Sequence, residues 1–362
     1  MSSPRKARCT FCITLAALLA AFAASARACT ICIGFPKKSA ADFLIESSCV
    51  ALAREDPGQP FSFAPVEILK GNLDGTKIGL FLDSVTKRIL AGDARRTVVL
   101  IQPSKGRPWR SLGLASTEYE AIVRRIVLLA PVWQGADGKN RRVEFFLSLF
   151  GHEDPLINEL AYLEMGRASY AAIKRLSRVV SREQIEPMLR RRQYIQWRSL
   201  AILMLAHRGE ALDRKYIVES FHTSERFGLT TNLAAWAAAS IELNSADAVS
   251  FIEDKYFRNP DRRKEELIEV LKAMSLHGTQ GRIELREQIV ASYAMLLDMH
   301  PQMAAQVAAD LLTWKRTELT AELARVEAAN ATLDYAGKNT VRRYLRMAAN
   351  STANGQIDDS PR

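Results

Sequence analysis

The sequence predicts an α+β protein of several domains, in which a small β-barrel is followed by an all-α solenoid. Between residues 29 and 112 short apolar runs alternate with polar residues and are separated by glycine and proline, as in antiparallel strands. From residue 142 to 349 apolar residues recur every three or four positions, which is typical of amphipathic helices. With 48% hydrophobic and 25% charged residues, collagen-like and wholly disordered chains are excluded.

The first 28 residues have the pattern of a secretory signal peptide. Three cationic residues precede an apolar stretch over residues 13–26, which is shorter than the roughly 20 residues that a membrane-spanning helix needs. Small residues permit cleavage after Ala26 or after Ala28. We therefore expect an exported protein that is periplasmic or secreted.

Part of the net charge belongs to this signal peptide. The formal net charge of the chain is +10, and Arg5, Lys6, Arg8 and Arg27 lie in its first 28 residues with no acidic residue, so the mature chain carries +6. This mild excess is ordinary for solubility. An exported protein does not meet nucleic acid in its own compartment, so we expect no nucleic-acid partner.

The cysteines Cys29, Cys32 and Cys49 remain after removal of the signal peptide. An oxidising compartment favours disulfides, so we expect a bridge that joins Cys49 to Cys29 or to Cys32. Attachment of a lipid to Cys29 would leave an even pair, but Ala26 and Arg27 suit a lipoprotein cleavage site poorly. No second cysteine pair or histidine pair follows Cys32, so we predict no zinc site.

The predicted barrel consists of four apolar runs with strand character. Turns at Pro57–Gly58, Lys70–Asn72 and Gly106 bound these runs. The runs are Ala41–Leu52, Phe61–Leu69, Ile78–Leu82 and Thr97–Gln102.

A connecting helix and a linker are predicted over residues 113–141. The helix begins after Ser116 as its cap, continues to Leu129 and is ended by Pro131. Beyond residue 142, helix starts are indicated by Asp154 before a proline and by a capping box at Ser181.

These helices are predicted to be about 10–16 residues long, and pairs of them recur every 35–45 residues or so, which is typical of an α-solenoid. An irregular helical bundle is the alternative. Residues 350–362 are polar and predicted to be disordered.

Residues 29–112 resemble the netrin-like module, the OB-type barrel of tissue inhibitors of metalloproteinases and of many bacterial exported proteins. The resemblance rests on Cys-Thr-Ile-Cys at 29–32, Ala-Asp-Phe-Leu-Ile at 41–45 and Phe-Ala-Pro-Val-Glu-Ile-Leu-Lys-Gly-Asn at 63–72. Residues 145–171, with His-Glu-Asp-Pro at 152–155, resemble the first repeat of bacterial exported HEAT-like proteins. Together they imply an OB-like head with a HEAT-like helical tail, a combination without an assigned activity.

The resemblance also implies one chemical alternative. In the inhibitors, the α-amine and carbonyl of an N-terminal cysteine chelate the zinc ion of the protease. This applies here only to Cys29, and only if cleavage follows Ala28. The spacing differs from the C-x-C of the inhibitors, because Cys32 follows Cys29 after two residues.

The loop that carries Arg107, Trp109 and Arg110 is a candidate binding loop, because loops on a rigid sheet often carry binding residues. The alternative is that Trp109 covers the open end of the barrel.

A second candidate is an anion-binding patch, which Lys174 in the preceding helix would extend. An anionic membrane surface could be its target, and a solvated helical face is the alternative. The patch consists of Arg190, Arg191, Arg192 and Arg198.

No catalytic motif is found in the sequence. The G-x-S-x-G, H-E-x-x-H and phosphate-loop patterns are missing, and the five histidines are scattered one to a segment. We predict an exported, non-catalytic interaction or scaffold protein of the cell envelope, without cofactor or metal, whose partner is a protein or an envelope component. A metalloprotease inhibitor and an unrecognised envelope enzyme are the alternatives.

Overall fold

The structure is a computed structural model that describes residues 31, 38–56, 58–59, 62–73, 78–135, 137–329 and 333–355. The described part is mostly helical and contains one small antiparallel sheet, which confirms the α+β class. The predicted signal peptide, Cys29 and Cys32 lie outside the described residues.

The sheet has five strands in the order β3-β2-β1-β4-β5, and its paired neighbours are antiparallel. In the described part it is a curled half-barrel. The strands are β1 (Cys49–Glu55), β2 (Ser62–Lys70), β3 (Ile78–Gly79), β4 (Thr97–Gln102) and β5 (Arg110–Ala115).

The central strands β1 and β4 are buried on both faces. Val50 and Leu52 of β1 lie in one core cluster, whereas the alternating Cys49 and Ala51 lie in a second cluster on the opposite face. A strand covered on both faces is apolar at successive positions. This explains the continuous apolar run that predicted β4, whose bounds are confirmed.

One segment predicted as strand is helical. Helix α1 (Ala40–Glu46) occupies the first part of the predicted strand Ala41–Leu52. It begins at a capping box, in which the Ser39 hydroxyl accepts from the Asp42 N–H and the Asp42 carboxylate accepts from the Ser39 N–H. The box provides acceptors for backbone N–H groups at the start of the helix, which have no acceptor within the helix itself.

Helix α2 (Ser84–Gly92) follows the short strand β3, where the sequence predicted strand as far as Leu82. The Asp83 carboxylate caps it by accepting from two backbone N–H groups. Arg54 of β1 donates to the carbonyl oxygens of Leu90 at 2.7 Å and Asp93 at 3.1 Å. This guanidinium therefore fastens the C-terminal end of α2 to the sheet.

The rest of the chain is helical, with short irregular turns at 192–197, 253–257 and 301–303. The helices are α3 (Thr117–Trp133), α4 (Gly138–Leu147), α5 (Pro155–Gly166), α6 (Tyr170–Ser177), α7 (Arg182–Arg190), α8 (Arg198–Arg208), α9 (Ala211–Arg226), α10 (Leu233–Asn244), α11 (Ala246–Ile252), α12 (Lys264–Gln280), α13 (Ile283–Met299), α14 (Ala304–Trp314), α15 (Thr320–Ala328) and α16 (Tyr335–Gly355).

The predicted caps Ser116, Asp154 and Ser181 are confirmed, but three predicted boundaries differ. Pro131 lies inside α3, which continues to Trp133, because a proline in the last turn removes only one helical hydrogen bond. Helix α4 begins before residue 142, and α16 continues past residue 349 into the segment predicted as disordered. Residues 356–362 of that segment lie outside the described residues.

The helices from α6 onward lie in two layers. Helices α6, α8, α10, α12, α14 and α16 contact one another in this order and form one layer. Helices α7, α9, α11, α13 and α15 pack against this layer, and α11, α13 and α15 also contact one another in order. Residues 199–207 of α8 and 233–241 of α10 are buried without interruption, as expected of helices that are covered on all sides.

A buried ion network joins α1 to the helices. Arg142 of α4 lies 2.6 Å from the Asp42 carboxylate and 2.8 Å from that of Glu164 in α5, and Arg167 binds the same two acids. Burial opposes ionisation of Asp42, but the N–H of Ser39 and the two arginines outweigh burial and lower the pKa of Asp42.

We predict that Arg142→Ala lowers the free energy of unfolding by about 3 kcal/mol, because two buried carboxylates lose one of the two arginines that they share. Urea unfolding of the mature chain measures this. The neighbouring Arg141 is the matched control, since its side chain is 62% exposed and its 3.8 Å pair with Asp137 is at the surface. Its alanine variant should lose less than about 0.5 kcal/mol. Equal losses in the two variants would contradict the role of the network.

Candidate functional site

A cavity of about 450 Å³ lies where α6, α10 and α12 meet the start of α13. We call it the Glu242 cavity. Its volume is within the range of small-ligand sites, about 300–1,000 Å³. Its polar lining consists mainly of Tyr170, Lys174, Glu242, Ser245, His277 and Arg282.

Glu242 is the anion at the centre of this lining. Its carboxylate accepts hydrogen bonds from the Tyr170 hydroxyl at 2.9 Å and from the Lys174 ammonium, and Nδ1 of His207 lies 3.6 Å away. Burial raises the pKa of Glu242, but these partners outweigh burial and hold the pKa far below its usual value. Glu242 is therefore a fixed negative charge at neutral pH.

His277 is almost completely buried in the cavity wall, at 2% exposure. Its Nε2 lies 2.8 Å from the carbonyl oxygen of Ala238, and because a carbonyl only accepts, Nε2 must carry the proton. Burial lowers the pKa of His277 to about 4, so the ring is neutral at pH 7. Its Nδ1 is then a bare acceptor, and no group in the described part of the chain donates a hydrogen bond to it.

The aromatic ring of Tyr170 lies between the two histidines. Its centroid is 5.0 Å from the ring of His207 and 5.7 Å from that of His277, in edge-on geometry at both. Edge-on contacts of this kind stabilise ring pairs beyond the apolar area that they bury. Tyr170 therefore orders both rings while its hydroxyl binds Glu242.

Lys174 and Arg282 are the cations of the lining. Arg282 donates to the hydroxyl of Ser245 at 2.9 Å. Ser245 is the single residue between α10 and α11 and has a φ of +48°, a left-handed conformation that is uncommon outside glycine. Such backbone strain is found preferentially at functional sites.

This site was not predicted from the sequence, although the sequence contains one signal of it. His207, Glu242 and His277 are spaced 35 residues apart and lie near the C-terminal ends of α8, α10 and α12. This spacing equals the predicted repeat period, so the three residues occupy equivalent positions in successive helices of one layer. The 35-residue spacing is not visible when each histidine is considered separately.

The candidate binding loop changes in the structure. Trp109 is 7% exposed and lies in the core cluster on the Cys49 face of the sheet, so its ring covers that core and is not available to a partner. The driving force is burial of its large apolar surface. Arg107 and Arg110 are exposed on either side.

The candidate anion-binding patch lies at the connection between α7 and α8. Arg190 pairs with Glu186 at 2.7 Å, and Arg191 and Arg192 are exposed. Arg198 is half-buried. Lys174 does not extend the patch, because it binds Glu242 in the cavity.

Cys49 is buried in β1 and has no disulfide partner among the described residues. Burial raises its pKa, which disfavours the reactive thiolate. Ile31 is buried in the helical core, whereas Cys49 lies in the sheet core. Because Cys29 and Cys32 lie outside the described residues, the disulfide stays a prediction.

Comparisons of the chain with models of known protein families, with curated proteins and with solved structures give no match. In the described part of the chain, no helix is long and apolar enough to cross a membrane. The same part contains no group of histidine, cysteine and acidic side chains that could hold a metal ion. The Glu242 cavity is thus the feature from which a function can be inferred.

We predict that His277 contributes to the pH dependence of stability between pH 5 and pH 7. Its folded-state pKa lies below the ordinary value of 6.5, so the unfolded chain binds the proton first as the pH falls. The free energy of unfolding should therefore decrease by about 2 kcal/mol between pH 7 and pH 5.

The variant His277→Gln keeps a donor for the Ala238 carbonyl but does not titrate, so the contribution of His277 should disappear, whereas those of His300 and Asp310 remain. Urea unfolding at several pH values measures it. His222, which is exposed, provides the control His222→Gln, and its stability should depend on pH as in the wild type. The same dependence in His277→Gln would show that His277 is not its source.

Proposed function

We propose that the chain is an exported, non-catalytic interaction protein of the cell envelope that binds a partner at the Glu242 cavity. The supporting observation is that the charged groups of the cavity are already held in place. Lys174 donates to Glu242, and Arg282 donates to Ser245. Proton transfer is most efficient when the pKa of the acid or base lies near the working pH. The pKa of Glu242 and that of His277 are both displaced downward from neutrality, which suits recognition better than acid–base catalysis.

We propose further that the helices from α6 onward form a HEAT-like solenoid. The order of contacts from α6 to α16 supports this, since alternate helices stack on one another, and so does the 35-residue spacing of the cavity residues. Solenoids present long surfaces to partners. The cavity lies in the layer of α6, α10 and α12, on such a surface.

The curled sheet is proposed to be a variant of the OB-type barrel of netrin-like modules. Its support is the Lys70–Gly71 turn after β2, where the left-handed φ of Gly71, +77°, lets the backbone pass close to Ser48. Loops of such sheets commonly carry binding residues. The exposed Arg107 and Arg110 would provide a second, smaller contact.

Export of the chain is proposed from residues 1–28. Expressed in a bacterium, the full chain should be found in the envelope or secreted fraction with a mass reduced by residues 1–26 or 1–28. Deletion of residues 1–28 should retain it in the cytoplasm. An unprocessed full-length chain in the cytoplasm would contradict export.

Partner binding at the cavity is tested by site-specific photo-cross-linking in intact cells. The cross-linking amino acid replaces Gln280, which is exposed at the cavity, or Lys215, which is exposed on α9 in the other layer. We expect a discrete adduct from position 280 and none from position 215. The same adducts from both positions, or no adduct from either, would overturn the proposed function.

A further inference from the structure

We infer that the Glu242 cavity recognises a free carboxylate with a hydrogen-bond donor beside it, the chemistry of a polypeptide C-terminus. This inference rests on the proposed function and names the group that the partner presents. It follows from the charge of the cavity, from the helix that starts at its wall and from the unused nitrogen of His277.

The lining of the cavity has a net charge of +1, which a ligand can neutralise. Lys174 and Arg282 are cationic, Glu242 is anionic and His277 is neutral. The ammonium of Lys174 donates to Glu242 and has further N–H groups to offer. A singly charged anion would therefore neutralise the cavity, whereas a second cation would be repelled.

Arg282 matches the planar geometry of a carboxylate. One of its Nη atoms donates to Ser245, and a guanidinium has five N–H groups in all. The remaining groups can bind two carboxylate oxygens side by side. The contact with Ser245, which is held in its unusual backbone conformation, orients the guanidinium before a ligand arrives.

The N-terminal end of α13 contributes in the same place. This helix of 17 residues begins at Ile283, directly after Arg282, and no side chain caps it. Among the described residues nothing accepts from the N–H groups of residues 283–285. Free N–H groups and the helix dipole both favour an anion at this end.

His277 supplies the observation that distinguishes this ligand from a simple anion. Its Nδ1 is an acceptor in the cavity wall for which the described residues offer no donor, and it is not one of their enclosed unpartnered atoms. A ligand that places an N–H or O–H group against Nδ1 gains a hydrogen bond there, and a bare carboxylate does not.

A polypeptide C-terminus presents both groups. Its terminal carboxylate would bind Arg282, Lys174 and the start of α13, and the amide N–H of its last residue would donate to Nδ1 of His277. A free amino acid or hydroxy acid presents the same pair of groups. The binding experiment separates these two sources.

The experiment measures calorimetric binding of small probes to the mature chain. The probes are N-acetyl-dialanine, its C-terminal amide, its analogue with the last amide N-methylated, free alanine and acetate. We expect N-acetyl-dialanine to bind at least tenfold more tightly than the amide, the N-methyl analogue and acetate. The variant Arg282→Gln should weaken its binding at least tenfold, since hydrogen bonds to charged groups contribute about 1.5–3 kcal/mol each.

Arg88→Gln is the matched control, because it removes the same charge from an exposed position on α2, outside the cavity lining. Its affinity for N-acetyl-dialanine should stay within twofold of the wild type. An equal loss in both variants would mean that overall charge, and not the cavity, attracts the probe, and this would overturn the inference.

The other outcomes are also decisive. Equal affinity for the acid and the amide, or no binding of any probe at millimolar concentration, overturns the inference. Equal affinity for the N-methyl analogue overturns the role of His277. Binding of alanine without binding of N-acetyl-dialanine supports the carboxylate-and-donor site but assigns it to a free amino acid. Binding of N-acetyl-dialanine without any cross-linked partner would support the site while the proposed function fails.

Discussion

The contact of Arg142 with Asp42 and Glu164 is the interaction on which the arrangement of the molecule depends. It fastens α1, which leads into the central strand of the sheet, to α4 and α5, at the start of the helical region. Apolar burial holds these parts together but has little directional preference. The ion network has a defined geometry. Its two carboxylates and two guanidinium groups neutralise one another only when α1 is correctly placed against α4 and α5.

The same principle explains the Glu242 cavity. An isolated carboxylate in a helical core is strongly unfavourable, and Glu242 is tolerated because Tyr170 and Lys174 donate to it and His207 lies beside it. These partners belong to different helices of one layer. The stacking of the helices therefore creates the polar site, and the polar site favours one arrangement of the helices. The two histidines are the exceptions, since among the described residues neither nitrogen of His207 and only one nitrogen of His277 makes a hydrogen bond.

Local signals in the sequence predicted many elements correctly and failed where two signals competed. Ser116, Asp154 and Ser181 each cap the helix that they predict, because a cap acts on N–H groups within three residues. Residues 41–46 are rich in strand formers, yet the capping box of Ser39 and Asp42 makes them helical. The sequence did not predict whether Trp109 is buried or exposed, because its local sequence does not indicate whether a core lies close enough to bury it.

The sequence by itself determined the α+β class, the span of β4 and the helical period, because each depends on the spacing of apolar residues over a few positions. The strand order of the sheet and the Glu242 cavity were decided only by the tertiary structure. Glu242 and its partners Tyr170, Lys174 and His207 are separated by 35 to 72 positions in the chain. Their meeting depends on how the helices stack, and the hydrophobic period of one helix carries no information on the polar residues of another.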